Sequence, residues 1–247
     1  MRRSACALLA LGAVLLVGAR PREAAPASPA DPLETIERAE QALFRRIAPS
    51  VAFIADSRGF GSGFVVGADG LLLTNAHVVG EAKTVKVVLH DGRALVGKVL
   101  ARAPDKLDLA LVQVDARDLV PLELGGLADL KVGSFAASVG HGKGGIWTFN
   151  TGMVSNIYPA GDASRPVFQT QIPLNPGSSG GPVFDRFGRV VGVVTAGMTD
   201  SNSINFAIKI DVALASFPEL APACSACLTV MAPAGVPVFL EIGRAHV

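Results

Sequence analysis

The sequence predicts an all-β fold in which two six-stranded antiparallel β-barrels pack together, preceded by a short N-terminal helix. The main observation is a series of short apolar segments separated by turn residues, which begins at Val51 and falls into two sets of about six. The composition agrees, because 27 glycines suit a protein with many tight turns and half of the 247 residues are hydrophobic. That length fits one such domain with short additions at its ends.

The N-terminal helix is expected over residues 33–48. Asp31 can cap its first turn, Pro32 suits the first helical position, and Glu34 lies where a capping box places its acidic residue. The helix should end before Pro49, because a proline disfavours helical backbone in the residue that precedes it. It should pack on the barrels through a shared apolar face, made of Ile36, Leu43 and Ile47.

Twelve segments are expected to form the strands of the two barrels. Those of the first barrel are Val51–Ile54, Gly61–Val66, Gly70–Leu73, Thr84–Leu89, Ala94–Val99 and Leu109–Val114. Those of the second barrel are Ser134–Val139, Trp147–Ile157, Val167–Ile172, Pro182–Phe184, Arg189–Thr195 and Ile204–Ile208. The tripeptide His90-Asp91-Gly92 between the fourth and fifth segments is typical of a hairpin turn.

Residues 175–185, which read Asn-Pro-Gly-Ser-Ser-Gly-Gly-Pro-Val-Phe-Asp, carry the most information about function. The glycines around Ser179 let the backbone turn sharply and approach a bound carbonyl closely. The N–H groups of Gly177 and Ser179 can then point at one spot and hold a developing oxyanion, while Ser178 shapes the loop between them. Taken alone, the same segment is also compatible with an ordinary turn between two strands.

Two upstream residues complete a catalytic pattern with this serine. His77 follows the apolar run Leu71–Leu73, and Asp108 opens the apolar run Leu109–Val112. A lone histidine is more often structural, and a lone aspartate at the start of a strand is usually a cap or turn residue. The three residues together occur in the order His, Asp, Ser, which is the order of the chymotrypsin-type triad.

These segments resemble the HtrA/DegP branch of the trypsin-like serine proteases, and the resemblance covers about residues 44–212. Two positions depart from the family pattern. Ser178 stands where the family usually has Asn, and Gln171 stands where many relatives have Asp, which can alter the loop beneath the specificity pocket. The motifs that carry the resemblance are residues 61–64, 74–79, 108–110, 152–155, 175–182 and 205–208.

The resemblance implies a serine endopeptidase that cleaves unfolded or damaged exported proteins through an acyl-enzyme. Ser179 would be the nucleophile, His77 the general base, and Asp108 the residue that orients His77. The oxyanion hole would be formed by Gly177, Ser178 and Ser179. Polypeptide substrates are the expected partners. No cofactor and no metal ion is expected, since the sequence shows no cluster of metal ligands.

The resemblance also places a substrate pocket, lined by Pro173, Leu174, Thr195 and Ala196. Pro173 would lie at its base, with Leu174 beside it. Neither side chain can pair with a substrate lysine or arginine. The pocket is therefore expected to prefer small or medium apolar side chains.

Two other classes of protein fit parts of the sequence. One is a catalytically silent module that keeps the trypsin-like fold and binds unfolded chains or a partner protein, although all three catalytic residue types are present. The other is a structural envelope protein with an incidental Gly-Ser turn. The formal net charge is +1 and no basic patch stands out, so nucleic acid is not an expected partner. Assembly of identical chains into a homo-oligomer is left open.

Residues 1–19 are predicted to be a signal peptide, and residues 20–32 a linker. Arg2 and Arg3 precede the apolar run Ala5–Val17, and small residues follow at the cleavage positions. The run is too short for a spanning helix, so no stable membrane span is expected after cleavage; an uncleaved anchor is the alternative. We therefore expect an exported protein, either periplasmic in a bacterium or secreted.

The strand pattern and the resemblance imply a trypsin-like protease domain over residues 49–215. After it we expect a linker over 216–227, the start of a truncated second domain over 228–240, and an artefact over 241–247. The artefact is inferred because residues 241–247 match a common sequencing adapter translated in frame. Residues 228–240 read as two strands around a Pro-Ala-Gly turn and weakly resemble the opening of a PEGA-type β-domain. Cys224 and Cys227 are expected in a disulfide, with a redox or metal half-site as the alternative.

Two further histidines are expected to be structural. His90 lies beside a turn and should be solvated. His141 lies in the glycine-rich run 140–145, which lacks the strand and helix of a phosphate-binding loop and is expected to form a mobile surface loop near the cleft.

Overall fold

The computed structural model describes residues 31–104, 107–128, 130–158, 166–197, 204–224, 227–231 and 237–241. The predicted signal peptide, nearly all of the predicted linker 20–32, and residues 242–247 lie outside these ranges. Within the ranges described, no helix combines the length and the apolar character that crossing a bilayer requires.

The first half of the chain forms a closed antiparallel barrel of six strands. These are β1 (Val51–Ala55), β2 (Phe60–Val65), β3 (Leu71–Thr74), β4 (Thr84–Val88), β5 (Ala94–Arg102) and β6 (Ala110–Val114). Their order around the barrel is β1-β2-β3-β6-β5-β4. Phe53 of β1 lies opposite Val88 of β4, and this pairing closes the barrel.

The second half forms another closed antiparallel barrel of six strands. These are β7 (Phe135–Gly140), β8 (Thr148–Ile157), β9 (Val167–Thr170), β10 (Pro182–Phe184), β11 (Val190–Gly197) and β12 (Asn205–Lys209). Their order is β10-β11-β12-β9-β8-β7, and the pairing of Val183 with Ser138 closes the barrel. The predicted fold class is therefore confirmed.

Every predicted strand is present, and the ends differ by only a few residues. β5 continues past the predicted end at Val99, because a bulge between Val99 and Ala101 lets the strand bend and keep pairing with β6. β9 stops at Thr170, before the predicted end at Ile172, where the Thr170 hydroxyl accepts the Ile172 N–H at 3.2 Å. Local turns and bulges set these ends, and the apolar pattern does not reveal them.

Three apolar clusters form the core of the two barrels. One fills the first barrel and includes Ile54, Leu72, Val87 and Val112. A second fills the other barrel and includes Val154, Phe168, Val191 and Ala207. The third takes residues from both barrels, including Phe64, Leu73 and Leu111 from the first and Val139, Phe184 and Val193 from the second. This third cluster fixes the barrels against each other along a shared seam.

The N-terminal helix α1 (Pro32–Ile47) begins as predicted, because the Asp31 carboxylate accepts the Leu33 N–H at 3.0 Å. The expected capping box does not form. The Glu34 carboxylate instead contacts the Arg38 guanidinium one turn later, where opposite charges on a helix meet.

The apolar face predicted for α1 is only partly right. Leu43 and Ile47 are buried, but Ile36 is 57 % exposed. The helix contacts the barrels through its last turns, where the Phe44 ring packs edge-on against Phe149 with 5.8 Å between the centroids. The predicted apolar face is therefore buried only in the last turns of α1, and in the first turns it is exposed to solvent.

The segment after the second barrel contains a helix that the sequence analysis missed. This helix, α3 (Ile210–Ser216), follows β12 directly and buries Ile210, Ala213 and Leu214. Two further strands, β13 (Cys227–Met231) and β14 (Pro237–Glu241), pair antiparallel where two strands were expected. Cys224 takes part in a disulfide bond. Assignment of residues 228–240 to a second domain stays a prediction.

Leu111→Ala should lower the free energy of unfolding by about 2–5 kcal/mol, because Leu111 is 2 % exposed and lies in the cluster shared by the barrels. Val96→Ala is the matched control, because Val96 is 72 % exposed and its truncation should change stability by less than about 0.5 kcal/mol. Urea denaturation measures both. Equal losses in the two variants would contradict the packing described.

Candidate active site

His77 is presented by a single helical turn at the end of a buried strand. The strand β3 ends at Thr74, and the turn α2 (Ala76–Val79) follows it. Asn75 lies between them, is fully buried, and donates its side-chain N–H to the Asp108 carbonyl at 2.7 Å. This bond ties the start of the turn to the segment that carries the aspartate, so the two predicted catalytic residues lie side by side.

The Asp108 carboxylate holds His77 through two hydrogen bonds. Its Oδ1 accepts the His77 backbone N–H at 2.9 Å, and its Oδ2 lies 2.7 Å from the His77 Nδ1. An ionised carboxylate only accepts hydrogen bonds, so the proton of the neutral imidazole lies on Nδ1. The His77 Nε2 therefore has a free lone pair that can take a proton.

A third hydrogen bond to Asp108 comes from the second barrel. The Thr195 hydroxyl donates to the same Oδ2 at 2.8 Å. Burial raises the pKa of the Asp108 carboxyl, but hydrogen bonds from the His77 side chain, the His77 backbone and Thr195 outweigh it and leave the pKa below its ordinary value. The aspartate thus stays ionised where it can stabilise a charged imidazolium.

Ser179 lies in a pair of consecutive tight turns. In the first, the Ser178 N–H donates to the Asn175 carbonyl at 2.9 Å, with Pro176 second and Gly177 third at φ +101°. This is the residue pattern of a type II turn. In the second, the Gly181 N–H donates to the Ser178 carbonyl at 3.0 Å, and Gly180 has φ +83°.

Close packing makes glycine necessary in these turns. A Cβ at position 180 would lie 2.1 Å from the Ser62 carbonyl oxygen, and one at 177 would lie 2.5 Å from the His141 carbonyl oxygen. Both distances are far below contact, and both residues also have left-handed backbone. The glycines that suggested a nucleophile loop in the sequence are thus required by its packing.

The backbone of Ser179 is fixed to the first barrel. The Ser62 N–H of β2 donates to the Ser179 carbonyl at 2.8 Å. The Ser179 hydroxyl donates to the Thr195 carbonyl at 3.2 Å. Thr195 therefore contacts Asp108 through its side chain and Ser179 through its backbone, and it links these two predicted catalytic residues.

Two N–H groups of the loop are free to bind a substrate oxygen. Among the described residues, neither Gly177 N–H nor Ser179 N–H has a hydrogen-bond acceptor. The Pro176 carbonyl accepts the Lys143 N–H at 2.8 Å. In a trans peptide the C=O and N–H point in opposite directions, so the Gly177 N–H is directed away from Lys143. Ser178 is buried, and its own N–H is already used within the turn.

The predicted pocket residues lie on two segments that flank the serine loop. Pro173 is exposed and Leu174 is half-buried against the cluster of the second barrel. Ala196 lies on β11 opposite Phe206. The buried Asn205 donates its side-chain N–H to the Ile172 carbonyl at 2.8 Å and so fixes the segment that leads to Pro173.

The hydrogen bond from the Thr195 hydroxyl to the Asp108 carboxylate was not predicted from the sequence.

The burial of His141 corrects the expected surface loop, although Lys143 and Gly144 of the same run are exposed. His141 is 1 % exposed, and its ring packs edge-on against Phe53 and Trp147 with centroids 5.4 and 4.9 Å apart. Gly140 and Gly142 on either side allow the backbone to turn the imidazole inwards. There the ring packs against the aromatic side chains of Phe53 and Trp147. Burial lowers the pKa of His141 to about 4. His90 is exposed as predicted.

Two closed barrels with a histidine–aspartate pair on one side of the seam and a turn-bound serine on the other define the chymotrypsin-like class of fold and site. The chain matches the trypsin-like peptidase domain over residues 61–193 and belongs to this family. In the part of the chain that the structure describes, no three residues among His, Cys, Asp and Glu converge as a metal site would require.

Relatives by sequence come from the HtrA/DegP branch. A protein of Halomonas elongata named a probable periplasmic DegP-like serine endoprotease is 40 % identical over 164 residues, which are 64 % of this chain and 34 % of the relative. A protein of Hahella chejuensis with the same name is 40 % identical over 177 residues, 69 % of this chain and 36 % of the relative. The chain spans about a third of the length of these curated relatives.

Solved structures show the same fold. The crystal structure of Deg5 matches with a TM-score of 0.67 and 31 % identity, covering 79 % of this chain and 100 % of that one. The HtrA-type protease AlgW with a decapeptide matches with a TM-score of 0.66 and 25 % identity, covering 78 % of this chain and 70 % of that one. The predicted resemblance to HtrA/DegP proteases is therefore confirmed.

Lowering the pH from about 6.5 to about 4 should destabilise the protein through His141. The unfolded chain binds a proton near 6.5 and the folded one only near 4, so stability from this residue is complete above 6.5 and lost as the pH falls. The loss amounts to about 3 kcal/mol. The difference in unfolding free energy between parent and His141→Asn, measured at several pH values, reports it. A difference that does not change with pH would contradict the buried neutral imidazole.

Proposed function

We propose that this protein is a serine endopeptidase that cleaves unfolded or damaged exported polypeptides. The observation that carries the proposal is the pairing of Asp108 with His77 beside a serine loop whose Gly177 and Ser179 N–H groups are unoccupied. A base with a free lone pair, a nucleophile and two oxyanion donors are the parts that acyl transfer requires.

The chemistry begins when the Ser179 side chain turns from the Thr195 carbonyl towards His77. The present hydrogen bond of 3.2 Å is long for a hydroxyl donor, so little is lost on rotation. The His77 Nε2 takes the hydroxyl proton while the Ser179 oxygen attacks the substrate carbonyl. Collapse of the tetrahedral intermediate breaks the C–N bond, and His77 passes the proton to the leaving amine. Water then hydrolyses the acyl-enzyme by the same route.

Asp108 and the two free N–H groups stabilise the charges that form in these steps. The carboxylate faces the imidazolium that His77 becomes, and its lowered pKa keeps it ionised. The negative oxygen of the intermediate lies between the Gly177 and Ser179 N–H groups. Losing one such donor typically costs about 3–4 kcal/mol of transition-state stabilisation.

The substrate pocket is proposed to accept small or medium apolar side chains. Pro173 and Leu174 supply no charge, and the Asn205 side-chain amide is engaged with the Ile172 carbonyl. A lysine or arginine entering this site would be desolvated, and none of the four residues assigned to the pocket offers it a carboxylate.

Unfolded polypeptides in an exported compartment are the proposed substrates. The relatives are named periplasmic endoproteases, and solved HtrA-type proteases of this fold hold a decapeptide. Export is proposed from the predicted signal peptide at residues 1–19.

Ser179→Ala should reduce hydrolysis of unfolded casein to background and abolish labelling by a fluorophosphonate, because it removes the nucleophile. The Ala side chain fits without new contacts, so the thermal midpoint should change little. Ser57→Ala is the matched control, since Ser57 is exposed and lies in the turn between β1 and β2. Labelling of the parent and of the control but not of Ser179→Ala is expected. A parent that binds unfolded chains without labelling would instead be a silent module.

Cleavage should follow small or medium apolar residues rather than lysine or arginine. Peptides that differ only at the residue before the cut, with Val or Lys, should differ in kcat/KM by about tenfold or more in favour of Val. Mass spectrometry of a digested unfolded protein gives the same information without a chosen peptide. A dominant preference for basic residues in either measurement would overturn the pocket assignment.

A further inference from the structure

The buried His141 contacts the serine loop through one intermediate residue. Its Nδ1 lies 3.0 Å from the Ser62 hydroxyl oxygen, and its backbone N–H donates to the same oxygen at 3.1 Å. The Ser62 hydroxyl in turn donates to the Gly177 carbonyl at 2.8 Å. The three residues come from β2, from the end of β7 and from the serine loop, so the connection crosses the seam.

Hydrogen-bond accounting fixes the direction of these contacts. A hydroxyl donates once and accepts twice. If the Ser62 proton goes to the Gly177 carbonyl, the hydroxyl oxygen accepts from the His141 N–H and from a protonated Nδ1. All three contacts are then satisfied at once. In the other tautomer the His141 Nδ1 carries no proton and accepts a hydrogen bond from the Ser62 hydroxyl. The buried Gly177 carbonyl would then have no donor.

The opposite ring nitrogen has no comparable role. The His141 Nε2 is buried without a hydrogen-bond partner among the described residues, and the rings of Phe53 and Trp147 pack against the imidazole. A side chain kept only for packing would not be expected to bury a bare polar atom, because this is costly. The polar contact that the imidazole makes at this position is therefore the one between Nδ1 and the Ser62 hydroxyl.

The Gly177 carbonyl belongs to the peptide unit next to the one that presents the oxyanion donor. The Pro176 carbonyl is held by Lys143 N–H at 2.8 Å, and the Gly177 carbonyl is held by Ser62. The two planar units on either side of the Gly177 Cα are therefore both fixed from outside the loop. Glycine has no side chain to limit rotation there, so these two bonds, together with the turn hydrogen bond from the Ser178 N–H to the Asn175 carbonyl, set the direction of its N–H.

We propose that His141 is a positioning residue for the oxyanion hole, which acts by holding Ser62 in the orientation that anchors the Gly177 carbonyl. It touches neither the substrate nor the reacting atoms. The inference rests on the proposed function, because an oxyanion hole matters only if the serine attacks a carbonyl. The orientation of Ser62 depends on the His141 Nδ1–H donor and not on the rest of the imidazole ring.

The test compares two amides at position 141. The Asn side chain reaches about as far as the Nδ1 of histidine, whereas the amide of Gln reaches the position of Nε2. His141→Asn should keep kcat within about threefold of the parent, and His141→Gln should lower kcat by at least about tenfold with KM changed by less than about twofold. His90→Gln is the control, because His90 is exposed, packs edge-on against the same Trp147 ring, and has no hydrogen bond with Ser62.

Inhibitor affinity separates positioning from general disruption. A peptide boronic acid forms a tetrahedral adduct whose oxygen occupies the oxyanion hole, and its Ki should rise at least about tenfold in His141→Gln. The same peptide ending in a carboxamide should bind parent and variant equally. Equal loss of both affinities, or equal kcat in the Asn and Gln variants, would overturn the inference.

Ser62→Ala gives an independent route if His141→Gln does not fold. It removes the donor to the Gly177 carbonyl directly and should reproduce the loss in kcat and in boronic acid affinity. Adding His141→Gln to Ser62→Ala should then cause little further loss, since both act on one contact. Additive losses would refute the connection. A parent inert to fluorophosphonate would refute the proposed function, and this inference with it; an active parent with unaffected variants would refute the inference alone.

Discussion

The whole site depends on polar contacts between two barrels that meet along an apolar seam. Ser62 N–H on one barrel binds the Ser179 carbonyl on the other, and Thr195 reaches back across the seam to Asp108. Neither barrel contains the complete set of proposed catalytic groups. The apolar cluster shared by the barrels supplies the adhesion, because hydrophobic burial is strong but not directional. The few hydrogen bonds across it then set the relative position to the accuracy that a chemical step requires.

The serine loop shows how closely backbone conformation and packing are coupled. Gly177 and Gly180 both have left-handed backbone and both lie against carbonyl oxygens of other segments. The loop has no side chains of its own with which to resist rotation at these points. Its shape is imposed from outside by Ser62, Lys143 and the strands below it. A loop of this kind can present two bare N–H groups because the carbonyls of residues 176–179 are already engaged by other donors.

The features predicted from the sequence were those encoded locally. The twelve strands follow from apolar segments and turn residues, and the proposed catalytic residues were assigned from short motifs around His77, Asp108 and Ser179. The burial of His141, the exposure of Ile36 and the contact of Thr195 with Asp108 could not be predicted in this way. Each depends on where distant segments meet; Ser62 and His141, for example, are 79 positions apart. Periodicity reports which residues prefer burial, but not which partner buries them.

The division of the site between barrels also bears on how the chain folds. The contacts within each barrel join segments of modest sequence separation, whereas the Ser62 contact with Gly177 spans 115 positions. Closing so long a loop has an entropic cost, so we expect the barrels to dock late in folding. A chain with only its first barrel formed holds a histidine and an aspartate but no nucleophile or oxyanion donors. Hydrolytic competence would therefore arise only on completion of the fold, and a nascent chain could not digest its neighbours.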